Sequence, residues 1–118
     1  MGWEIVYYSE EVQQAIVTFP AGIQARYVHL TQRLVEFGPN LGMPHTRSLG
    51  KGLFELRMTS KEGIGRVFFC TLARQRILML HAFMMLHAFI KKTLKTPVRE
   101  LRKARSRLTE VQGHDDAQ

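Results

Sequence analysis

An α+β fold is expected, because helical periodicity near the start of the chain gives way to successive short β-rich segments and then to one last helical stretch. The first signal is the spacing of Val12, Ile16, Phe19, Ile23, Tyr27, Leu30, Leu34 and Phe37, which recur at three- and four-residue steps. The second is a set of β-rich segments between residues 46 and 83, separated by glycine and polar turns. The third is the basic amphipathic run after Lys91. With 118 residues, 45% of them hydrophobic, the chain suits one core and is too short for two ordinary domains. One domain is therefore expected over residues 1–112, with 113–118 as a disordered tail.

In chain order, residues 3–8 are rich in β-formers and read as an opening strand. Ser9 then caps a helix whose first turn carries Glu10 and Glu11. Pro20 interrupts the periodicity and Gly38-Pro39 ends it, so the two helices form a hairpin over one face of a sheet. Residues 38–50 read as a loop leading to a short edge strand around 46–49. His45 fits an exposed loop residue, whereas Arg47 and Lys51 are placed to line a basic groove.

Residues 51–69, KGLFELRMTSKEGIGRVFF, read as two strands joined at Lys61-Glu62. Side chains alternate along a strand, so Phe54, Leu56 and Met58 share one face and Leu53, Glu55 and Arg57 the other. A hairpin closed at that turn puts Arg57 across from Arg66 or Val67. Two cations at one level of a sheet repel, which calls for an anion nearby. Residues 73–76 make the next turn and 77–83 the next strand, so the expected order is β-α-α-β-β-β-β, with an antiparallel-rich sheet. Thr96-Pro97 then opens a helix with an apolar stripe at Val98, Leu101, Ala104, Leu108 and Val111. Its charges, Arg99, Arg102, Lys103, Arg105 and Arg107, fit either a solvated face or a nucleic-acid contact.

The formal charge of +7 favours polyanionic partners, nucleic acid or an acidic protein. Cys70 lies in an apolar run without a disulfide partner and reads as a small buried hydrophobe. The start of the chain lacks a signal-peptide pattern, and the apolar run 77–90 is shorter than the roughly 20 residues that span a bilayer. A cytoplasmic location is expected. The scattered histidines and lone cysteine point to no metal site, and no cofactor is expected.

The sequence MLHAF occurs at 79–83 and again at 85–89, a period of six. An even period keeps His81 and His87 on one face if both copies are extended, and a slip by one repeat preserves the inside-outside pattern. One strand through both copies would be long, so the segment loops out, continues as helix, or exchanges with a second protomer through residues 77–92. Counting back from a turn at Arg74 puts residue 81 across from Val67, which favours His81 over His87 as the histidine beside Arg66.

Arginines with a histidine and paired lysines suit chemistry on a phosphate: guanidinium groups hold its oxygens and a histidine moves a proton. The segments GLFELRM, GRVFF, RILMLHAF and FIKKTLKTPVRELRKARSRL together resemble the HigB-type, phage-derived-like branch of the RelE/ParE toxin superfamily, over residues 3–111. The resemblance implies a compact RelE-like fold, ribosome-dependent cleavage of mRNA without a metal, and neutralisation by a helix-turn-helix antitoxin. It implies phosphate-binding and transition-state roles for Arg57 and Arg66, and proton transfer by His81 or His87. RNA contacts, with mRNA and 16S ribosomal RNA in the ribosomal A site, are implied for Lys91, Lys92 and Lys95 beside Arg47 and Lys51. Such toxins ordinarily carry one LH-x-F before KKT, so the doubled MLHAF is a departure. Two alternatives remain: a ParE-like inhibitor of DNA gyrase, and an antitoxin-binding module whose catalysis the duplication impairs.

Overall fold

The structure, a computed structural model, describes residues 2–86 and 97–116. The opening strand β1 (Glu4–Tyr7) leads to helix α1 (Glu10–Val17), whose Ser9 side chain accepts from the Val12 backbone N–H at 3.3 Å. Helix α2 (Ala21–Phe37) follows and stops at Gly38, whose φ of 88° suits a residue without a Cβ. Gln24 closes the helical hairpin by donating from Nε2 to the carbonyls of Val17 and Phe19.

Four strands come next: β2 (Thr46–Gly50), β3 (Leu53–Ser60), β4 (Gly63–Leu72) and β5 (Arg76–Leu86). The sheet order is β1-β5-β4-β3-β2. Neighbours from β2 to β5 are antiparallel, but β1 lies parallel to β5, so the sheet is mixed. Only the crossover through α1 and α2 and the return along the sheet bring the first strand beside the last. The α+β class is as expected from the order of elements.

Helix α3 (Val98–Asp116) covers the other face. It continues through Gly113, where the sequence reading places a disordered tail; one glycine inside a helical pattern does not end it. Ile23, Tyr27, Leu30 and Leu34 of α2 pack with Val12 and Ile16 of α1 on Leu56, Met58, Val67, Phe69 and Met79. On the opposite face Ala104 and Leu108 cover Leu53, Phe68, Cys70, Leu78 and Leu80. Cys70 is buried, as its apolar setting suggests.

Strand β5 is longer than the expected 77–83 and runs through the whole first MLHAF into the second. Its pairing with β4 slips once: Phe68 faces His81 and Phe69 faces Met79, which leaves Leu80 as a bulge. Leu78 and Leu80 point toward α3, and so does His81, because the extra residue resets the alternation. His87, Lys91, Lys92, Lys95 and the second half of the repeat lie outside the described residues, and so does the proposed exchange through 77–92 beyond Leu86.

A candidate phosphate-handling site

The turn at Lys61-Glu62 closes as its residue types demand, with Ser60 opposite Gly63 and Arg57 directly opposite Arg66. The anion that these arginines call for is within the chain. Glu55, fully buried, sets Oε1 3.3 Å from Arg47 Nη2 and Oε2 3.6 Å from Arg66 Nη1. The edge pairing Arg47↔Glu55 and the two-residue step from Glu55 to Arg57 put all these groups on the α3 face. Among the described residues, three guanidinium groups and one carboxylate leave a local excess of two positive charges.

The cluster grades from surface to interior. Arg47 is exposed, Arg57 half-buried, and Arg66 only 4% exposed. Burial lowers the Arg66 pKa first of all; Glu55 raises it, and Arg57 and Arg47 lower it further. A carboxylate so placed stabilises a buried guanidinium whose loss would strand a charge.

His81 enters this face through the bulge. The expected position opposite Val67 is not observed: His81 faces Phe68, and Arg66 faces Phe83. In an unbroken ladder His81 would have shared Val67's face, under the helical hairpin. With the bulge it lies diagonal to Arg66 on the same face, a spacing of roughly 7–8 Å between backbones. Its ring stacks between Phe68 and Phe83, with centroids at 6.4 and 5.8 Å, and it is 9% exposed. Nε2 meets Glu100 Oε1 at 2.5 Å.

Lys51 stands apart from the group, at the exposed tip of the β2–β3 turn with a φ of 55°. His45 is half-buried rather than exposed: its carbonyl accepts from the Arg57 N–H at 2.9 Å. With Arg57, Arg26 and Thr59 it lines a recess of about 170 Å³ at the sheet edge. Among the described residues no cluster of three His, Cys, Asp or Glu side chains could hold a metal ion. Among them, too, no helix is long and apolar enough to cross a membrane.

A family model described as "Phage derived protein Gp49-like (DUF891)" matches residues 14–109, most of the chain. The chain belongs to this Gp49-like family. Among solved structures, a mutant of E. coli toxin RelE in the free state is similar at 8% sequence identity. That match covers 70% of this chain and 82% of RelE, with a TM-score of 0.46. No curated protein matches.

Two acidic residues of this Gp49-like chain escaped the sequence reading of the site. Glu55 was visible as a charge on an otherwise apolar strand, flanked by Phe54 and Leu56, and a buried carboxylate there requires cations. Glu100 carried no such mark, because in sequence it is an ordinary first-turn acid of a helix.

Proposed function

We propose that this Gp49-like protein is the toxin of a type II toxin–antitoxin pair and acts as a ribosome-dependent mRNA endonuclease. The observation that carries the reading is the buried Glu55 set between Arg47 and Arg66, with Arg57 opposite and a carboxylate-held His81 on the same face. Family membership and the sequence resemblance to HigB-type toxins support it.

RNA supplies its own nucleophile. The 2′-oxygen bonds to the adjacent phosphorus as the bond to the 5′-oxygen breaks; one proton leaves the 2′-hydroxyl and one reaches the departing oxygen. Charge grows on the phosphoryl oxygens, and fixed guanidinium groups stabilise it without reorganising. Arg57 and Arg47, nearer the surface, hold the phosphate; Arg66 adds charge from behind; His81 carries one of the protons. Lys91, Lys92 and Lys95 are assigned to contacts with mRNA and 16S ribosomal RNA, and the partner in the resting cell is a helix-turn-helix antitoxin.

The burial of Arg66 against Glu55 favours a second reading, in which the cluster holds the sheet together and the protein acts only by binding, as a gyrase inhibitor or an inactive antitoxin-binding module. A brief pulse of expression separates the two. Rapid cleavage of translated mRNA with intact DNA is the expected result; gyrase-trapped DNA breaks with intact mRNA would establish the alternative.

A further inference from the structure

The basic residues of α3 divide into two groups that sequence alone could not separate. Arg105 is spent on structure, donating to the carbonyls of Leu49 and Gly50 at 2.7 and 3.0 Å. Arg107 is likewise held: it donates to the Leu80 carbonyl, pairs with Glu11 at 3.4 Å, and stacks 4.7 Å over the Tyr8 ring. Arg99, Arg102 and Lys103 are exposed and, among the described residues, make no ion pair.

These three, with Ser106, recur at steps of three, one and three residues, so they form one stripe. Beside them the stacked Tyr8–Arg107 pair, fixed at its far end by Tyr8 Oη donating to Glu110 at 2.7 Å, makes a rigid wall. The space between is an open groove of about 550 Å³. Like charges three and four apart weaken a helix, so an unpaired stripe is a cost that an anionic ligand would offset.

We propose that this groove binds the sugar-phosphate backbone of single-stranded RNA, leading it along α3 toward His81. The inference rests on the RNA-cleaving reading and adds a second contact region to it. The groove sets four cations, Arg99, Arg102, Lys103 and Arg107, against one carboxylate, Glu110, which Tyr8 already engages, and the Tyr8 ring is covered by Arg107 rather than open to a protein side chain; both features favour nucleic acid over an acidic protein. Continuity with the site is direct, since Glu100 of the same helix holds His81 and Arg107 holds the neighbouring Leu80 carbonyl.

The test is fluorescence anisotropy with a labelled 2′-O-methyl RNA of about 12 nucleotides, which lacks the nucleophile and so reads binding without cleavage. Binding is measured against salt for the wild type, for Arg99→Ala/Arg102→Ala/Lys103→Ala, and for the charge-preserving Arg99→Lys/Arg102→Lys. Each phosphate neutralised on a single strand contributes about 0.7 to the slope of log affinity against log salt. The triple alanine variant should therefore flatten the slope by about 2 while its circular dichroism is unchanged, and the lysine variant should keep the wild-type slope. An unchanged slope in the triple variant would overturn the proposal. So would unchanged RNA binding together with lost binding of a protein partner. Because the probe cannot be cut, loss of slope supports the groove even if the wild type proves to have no nuclease activity.

Discussion

His81 and Glu100 are joined by a hydrogen bond of 2.5 Å between strand β5 and the first turn of α3. An ionised carboxylate only accepts, so it draws the ring proton to Nε2 and leaves Nδ1 with the lone pair in the neutral ring. Glu100→Gln can donate as well as accept and releases that choice. Single-turnover cleavage should fall in Glu100→Gln, and by roughly 10²–10⁴-fold in His81→Ala, the usual range for general acid–base catalysis. Imidazole 15N shifts should show the tautomer change in Glu100→Gln; an unchanged ring with unchanged cleavage would remove Glu100 from the mechanism.

The pair Glu55 and Arg66 should behave as a buried couple. Arg66→Ala leaves Glu55, among the described residues, with the exposed Arg47 as its ion-pair partner and should cost about 3–5 kcal/mol in urea unfolding, because a buried carboxylate loses its buried counter-charge. Glu55→Gln/Arg66→Ala should be less destabilised than the sum of the two single variants. Simple additivity would mean that the two groups do not depend on each other.

Gly63 closes the β3–β4 turn at a φ of 156°, and a Cβ there would run into the Met85 carbonyl oxygen. The clash is with backbone, so it cannot be relieved by a rotamer change. Gly63→Ala should lower stability by about 1–3 kcal/mol and weaken the β4–β5 edge first. Hydrogen exchange at residues 64 and 85 is the readout.

Burial, then the hydrogen bond to Tyr7 at 2.6 Å, pushes the Tyr27 hydroxyl pKa well above its ordinary value. A raised pKa in the folded state favours the protonated form. Its contribution is complete below the unfolded value of about 10 and is lost as pH rises past it. Stability should therefore decline above about pH 10, and Tyr27→Phe should flatten that decline in denaturant titrations at successive pH values.

Helix starts, the stop of α2 at Gly38, the turn at Lys61-Glu62 and the facing of Arg57 and Arg66 were legible because each follows from local periodicity or turn chemistry, whereas the end of α3 was not, since Gly113 does not break it. The position of His81 was not, since it depends on one bulged residue, Leu80, that looks like its neighbours. Glu55 between two arginines depends on the register of an edge strand, and Glu100 on how α3 docks, both long-range results. The parallel pairing of β1 with β5 likewise rests on where the first strand returns to the sheet. The sequence asked for an anion near Arg57 and Arg66; part of that demand is met by Glu55 before any substrate arrives.

Because Arg66→Ala also disturbs Glu55, the informative variant is Arg66→Lys, which keeps the counter-charge but loses the planar fork. The most direct measurement is primer-extension mapping of mRNA 5′ ends after a brief pulse of expression, compared for wild type, Arg57→Ala and Arg66→Lys at matched folded levels. New ends within translated regions for the wild type, with at least a 100-fold loss in both variants, are the predicted result. The same ends at undiminished intensity in both variants would contradict the account.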